Sequence, residues 1–203
     1  MLEGTVQAMA LTLEIRDAYT AGHERRVAQV ACAIAREMGL PKQRIEGIRI
    51  ASLLHDLGKI CVPAEILNKP GPISENEFNL FKAHCQVGFD ILKTIEFPWP
   101  VAQMVFQHHE RMDGSGYPSC LAGENILLEA RILAVADVVE AMASHRPYRP
   151  ALGIDKALEE VAQNKSILYD PSVVEKCLAL FQKKGFTFDS PSIPDPEMAF
   201  RFT

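Results

Sequence analysis

His55-Asp56 is followed at uneven spacing by His84, His108-His109 and Asp137, and preceded by His23, so five of the six histidines fall in one series. Imidazole and carboxylate are the side chains that hold divalent cations, and here they are spread over short segments that each read as a helix. An Asp beside a His can bridge two ions while the His ends on one of them. The set therefore points to a polynuclear metal site rather than a single structural zinc.

Each residue also has a plainer use. A His near a helix C-terminus interacts well with the helix dipole and often does no more. Two facts favour ligation. Adjacent residues such as His108 and His109 diverge by about 100° on a helix, so both cannot face one apolar core. Asp137 interrupts the run Ile132 to Val139, where a lone carboxylate is costly unless a cation compensates it. A salt bridge to Arg131 or Lys59 would also serve, but a metal neutralises Asp56 and Asp137 together. Lys59, three residues after Asp56, is placed to hold a phosphate oxygen or protonate a leaving group. Arg146 and Arg149, around Pro147-Tyr148, offer two guanidinium forks for bidentate phosphate binding or for plain helix-end solvation. His145 receives no role, and Trp99 between prolines reads as core or hinge.

The 203 residues suit one domain or a domain with an appendage, and 48% hydrophobic with 23% charged residues permits a sizeable core. A net charge of −5 argues against a nucleic-acid polymer as partner but allows a small anionic nucleotide beside bound metal. The five cysteines (Cys32, Cys61, Cys85, Cys120, Cys177) form no C-x-x-C pair; each reads as a small buried apolar side chain in a reduced, cytoplasmic chain. No basic segment precedes an apolar run at the N-terminus, so no signal peptide is expected. Ile126 to Ala143 is too charged to span a bilayer.

Helical periodicity dominates, and no segment alternates with period two, which predicts an all-α fold of about seven helices. The first follows Thr20 as N-cap and stops at Gly39. The second opens at Pro41 and carries His55-Asp56 to Gly58. A capping box from Ser74 to Glu77 starts a helix through Ile91. Others run from Pro98 or Pro100 to His108-His109, from Glu129 to Ser144, from Ile154 to Asn164, and from Asp170-Pro171 through Phe181. Ile60 to Ile73 and Arg111 to Leu128 are long non-helical stretches, of the kind that are usually functional. A domain over 1–185 and a proline-containing tail over 186–203 complete the expected organisation.

His55-Asp56-x-x-Lys59 resembles the signature of HD-domain phosphohydrolases, and His108 to Pro118 (HHERMDGSGYP) resembles the extended motif of the HD-GYP subfamily. The likeness continues through Asp17 to His23 and Arg131 to Ala151, covering the chain to about residue 180. HD-GYP proteins are bacterial, all-helical and hydrolyse cyclic di-GMP, and many carry an N-terminal sensor or receiver domain. The resemblance implies His23, His55, Asp56, His84, His108, His109 and Asp137 as metal ligands, Asp56 and Lys59 as catalytic groups, and Lys59, Arg146, Arg149 and Tyr117 around the substrate. It also marks the GYP loop as a contact surface for partner proteins, including cyclic di-GMP synthases. One departure matters: some members carry a Glu four residues before the first His, which helps hold a third metal, and Tyr19 stands there. Two divalent ions (Fe, Mn, Ni or Zn) are therefore expected rather than three.

These readings converge on a metal-dependent phosphodiesterase acting on a cyclic dinucleotide, with hydroxide attacking phosphorus in line. The rival from another class is a receptor module that binds nucleotide or partner without turnover. A mononucleotide phosphohydrolase is disfavoured by the GYP segment.

Overall fold

In the computed structural model, residues 2–16, 22–69, 71–144 and 151–188 are described. They form ten α-helical segments: α1 Leu2–Arg16, α2 His23–Glu37, α3 Lys42–Leu54, α4 Ala64–Leu67, α5 Glu75–Lys82, α6 His84–Leu92, α7 Val101–Gln107, α8 Leu128–Ala143, α9 Ile154–Gln163 and α10 Pro171–Lys184. Short 3-10 helices occupy Leu57–Cys61 and Gly123–Asn125. The described residues contain no named strand, only the isolated bridges Asp113 with Ala122 and Lys165 with Tyr169.

Every helix expected from periodicity is present. The additional segments are α1, the single-turn α4, and a break at Ala83 that divides the expected Ser74-to-Ile91 helix into α5 and α6. Local chemistry accounts for several ends. Ser74 accepts from the Glu77 amide, and the Glu77 side chain returns to the Ser74 amide at 2.6 Å. Asp170 accepts from the amides of Ser172 and Val173, with Pro171 in the first turn of α10, and a cap of this kind contributes about 1 kcal/mol. Gly39, at φ +74, stops the chain after α2. Thr20, the expected N-cap of α2, lies outside the described residues, and Gly22 holds the cap position.

Helix α2 is the hub, packing on α3, α8 and α10. Val27, Val30, Ala31, Ile34 and Ala35 are fully buried along it, against Ile132, Leu133, Val135, Ala136 and Val139 of α8 in one core. Beyond Gly185, Phe186 and Phe188 fold back onto Phe181, with ring centroids 5.1 and 5.9 Å away. Aromatic packing thus continues through Phe188. Cys32, Cys85 and Cys177 are buried as expected. Cys61 and Cys120 are not: one ends a surface 3-10 turn and the other sits at φ +53 in the loop after Tyr117. No helix among the described residues is long and apolar enough to cross a membrane.

Candidate metal centre

The fold brings helix ends to one point. His23 begins α2, His55 caps α3, His84 begins α6 and His108 caps α7, while Asp137 comes from the middle of α8. Asp56 lies in the turn between α3 and the 3-10 helix Leu57–Cys61, two residues past the helix that was expected to carry it. Gly58 permits the closest approach. A Cβ there would lie 1.8 Å from the His84 carbonyl oxygen and 2.6 Å from the Gly88 amide nitrogen, so the Asp56 turn can lie directly on α6 only without a side chain.

Three overlapping groups of donors result among the described residues. They are His23, His55 and Asp137; His84, Cys85, His108 and His109; and His55, Asp56 and His108, which joins the other two. Donor atoms lie within 4.8 Å of each other inside each group. Asp56 stands between the first two. Its Oδ2 is 3.5 Å from His55 Nε2 and 4.0 Å from His23 Nε2, while its Oδ1 is 3.8 Å from His84 Nε2. Asp137 Oδ1 lies 3.2 Å from His23 Nε2 and 3.8 Å from His55 Nε2.

The histidine tautomers follow from the backbone. The Nδ1 atoms of His55, His84 and His108 donate to the carbonyls of Ser52, Phe81 and Val105, at 2.8, 2.7 and 2.6 Å. Each residue uses the carbonyl three positions earlier, which a helix end leaves exposed. With Nδ1 protonated, the neutral His84 and His108 rings turn an Nε2 lone pair inward, the arrangement of a metal-binding imidazole with its outer hydrogen bond made. His55 would do so once a cation replaces the proton that Asp56 and Asp137 hold on it. His84 Nε2 and His108 Nε2 then face each other at 3.4 Å. Protonation does not relieve this contact: burial, with His55 and His84, drives His108 down to about 3, and burial lowers His84 as well. Two opposed lone pairs in a dry site call for a cation between them.

Charge is balanced unevenly. Burial opposes ionisation of Asp56 and Asp137, yet Lys59 and the imidazoles hold Asp56, and His23 and His55 hold Asp137, well below the carboxylate range. Burial would also lower His55, but Asp56 and Asp137 outweigh it and lift that ring to about 9. In the absence of a metal, protons and Lys59 compensate the carboxylates. The donor set suits divalent cations, which would replace that compensation.

Other expected residues take distinct places. Lys59 Nζ donates to Asp56 Oδ2 at 2.5 Å, so it reaches the centre through the carboxylate. Arg131 pairs with Asp170 at 3.0 Å rather than with Asp137. Tyr117 lays its ring near His109, with centroids 4.8 Å apart, and Phe78 packs across it at 6.1 Å. His108 and His109 follow the end of α7 instead of sitting within it, and their ring centroids are 4.0 Å apart. The 100° divergence expected of helical neighbours therefore does not apply: the turn sets the rings side by side. Arg146, Arg149, His145 and Tyr19 lie outside the described residues.

The sequence reading missed three contributors. Glu140 is fully buried, holds His23 Nδ1 with one oxygen, and accepts from Arg26 Nε at 2.6 Å with the other. Its spacing of three from Asp137 on one helix was the available signal. Glu110 is 2% exposed and accepts from the amides of Ser119 and Leu121 at 2.7 and 2.9 Å, pinning the loop that carries Tyr117. Cys85 places its sulfur among the second group of donors.

An all-helical bundle whose helix ends converge on histidines and aspartates is the frame of the HD domain family, and residues 7–173 match that family's model. The chain belongs to the HD domain family, and its paired histidines with the GYP segment place it in the HD-GYP group. It is 41% identical over 176 residues to a cyclic di-GMP phosphodiesterase response regulator of Xanthomonas campestris pv. campestris, covering 86% of this chain and 47% of that protein. It is 38% identical over 182 residues to 3'3'-cGAMP-specific phosphodiesterase 3 of Vibrio cholerae, covering 90% of this chain and 39% of that one. The chain thus spans less than half the length of these two relatives. Among solved structures, an HDG"Y"P protein from Bdellovibrio bacteriovorus shares the fold with a TM-score of 0.65 at 18% identity, over 78% of this chain and 51% of that chain.

Proposed function

We propose that this chain is a metal-dependent phosphodiesterase that hydrolyses a cyclic dinucleotide, cyclic di-GMP foremost, to the linear dinucleotide or GMP. The observation that carries this reading is the position of Asp56, whose two carboxylate oxygens face different donor groups. His23, His55 and Asp137 would hold one divalent ion, and His84, His108 and His109 a second, with Asp56 shared between them. The chemistry such ions would supply is Lewis-acid stabilisation of the entering and leaving oxygens at phosphorus.

The chain's own groups have separable tasks. Glu140 and the backbone carbonyls of Ser52, Phe81 and Val105 fix the imidazoles before substrate arrives. Lys59 orients Asp56 and adds positive charge beside the phosphate. Tyr117, packed on His109, walls the second donor group. Arg146 and Arg149 follow α8 in the chain and take the remaining phosphate oxygens. Cyclic di-GMP is placed first because the Xanthomonas relative bears that name at 41% identity; the Vibrio relative, at 38%, supports 3'3'-cGAMP as the second candidate.

The test is product chromatography with metal-loaded protein offered each cyclic dinucleotide in turn. Cyclic di-GMP should be consumed, and faster than 3'3'-cGAMP. Absence of turnover on either, by protein carrying its full metal complement, would instead support the non-catalytic receptor.

A further inference from the structure

We propose that Cys85 is a sulfur donor to the ion held by His84, His108 and His109, making this half of the centre a thiolate–histidine site that prefers zinc to manganese or magnesium. The inference rests on the metal-binding reading above and extends it to a residue outside the expected ligand set.

Geometry carries it. Cys85 Sγ is 3.5 Å from His84 Nε2, which is itself 3.4 Å from His108 Nε2. Around a tetrahedral zinc with Zn–N of about 2.05 Å and Zn–S of about 2.3 Å, neighbouring nitrogens stand about 3.4 Å apart and nitrogen and sulfur about 3.5 Å. Both separations therefore suit donors that share one ion, which would keep the Asp56 oxygen as a further ligand. The sulfur, His84, His108 and His109 donors all lie within 4.8 Å of one another, and Cys85 is fully buried.

The plainer alternative is a thiol that only donates S–H to His84 Nε2. Such a bond satisfies one nitrogen and leaves the His108 Nε2 lone pair still directed at the same point. A single cation satisfies both rings and the sulfur. Binding exchanges the S–H bond for a sulfur–metal bond and releases one proton to solvent. Cys85 is fully buried, and its proton leaves when a dication takes its place on the sulfur. Thiolate is a soft ligand, which is the basis of the preference for zinc over the oxygen-seeking manganese and magnesium.

Reconstitution of the full chain with cobalt(II) reads the bond directly, because thiolate ligation adds a sulfur-to-cobalt charge-transfer band in the near ultraviolet. Wild-type protein and Cys177→Ser, whose altered thiol is buried in the core cluster, should show the band. Cys85→Ser should lose it while keeping cobalt d–d absorption, and its preference for zinc over manganese should fall at least 10-fold. Cys85→Ala serves the same purpose should the buried hydroxyl prevent folding. A wild-type spectrum with d–d absorption but no charge-transfer band, or a band that survives in the Cys85 variant, overturns the assignment and leaves the histidine set intact. Protein that takes up no cobalt at all overturns the metal reading and this inference with it.

Discussion

Gly58→Ala isolates the contact that sets the spacing of the centre. The added Cβ would sit 1.8 Å from the His84 carbonyl oxygen, against ordinary contact beginning at 3.4 Å, so turn and helix must separate by roughly 1.6 Å. The obstacle is backbone on both sides, His84 and Gly88, and no flexible side chain can yield. Overpacking of this kind costs about 3 kcal/mol, at the upper end of the usual range. For a domain near 200 residues that is a melting temperature lower by about 6–12 °C. The displacement also moves His84 away from Asp56, while metal ligation tolerates only about 0.2 Å. Differential scanning calorimetry of metal-free protein and metal analysis after reconstitution test both effects. The expected result is a destabilised protein that loses the ion of the His84 group. Gly4→Ala, in α1 with nothing within 4 Å of the added carbon, is the control and should gain up to about 1 kcal/mol. A Gly58→Ala protein that melts with wild type and binds the same metal would show that the close approach does not position the site.

Asp56→Asn keeps the side chain's shape and removes the shared charge, so hydrolysis of cyclic di-GMP should fall by more than about 100-fold with circular dichroism unchanged; equal turnover at equal metal loading would refute the bridging role. Glu140→Gln should weaken metal affinity about 10–100-fold by loosening His23, measured by competition with a chelator. The metal-free protein should be most stable near neutrality. His108, held at about 3 by burial and its neighbours, ionises in the unfolded chain near 6.5, so stability declines as pH drops below that value. His55 has the opposite sign: its contribution is complete below 6.5 and is lost as pH rises toward its folded value of about 9. Urea titrations from pH 5 to 9 would contradict this if stability changed in one direction throughout.

The clustered donors were legible in the sequence because their chemistry is local: His55-Asp56 and His108-His109 stand out by type and adjacency, and the fold brings them together. Their supports were not. Glu140 reaches His23 across 117 positions, and no spacing rule spans that distance. The value of Gly58 lies in what packs against it, which only the crossing with α6 reveals. Helix α1 escaped periodicity because Val6 and Leu13 face inward while Leu11 and Ile15, equally apolar, face solvent. The helix expected through His108-His109 stops at Gln107, so helical geometry does not govern how those two rings diverge. Cys85 was read as a buried apolar side chain, a reading that its burial alone would satisfy.

The most direct test of the account is anomalous diffraction from metal-loaded crystals at the absorption edge of the bound element. The account predicts two peaks, one among His23, His55 and Asp137 and the other among His84, His108 and His109, with one Asp56 oxygen facing each. A single peak, or two peaks that do not share Asp56, would contradict it, and a third well-occupied peak beside His23 and Tyr19 would show that the count of two ions is wrong.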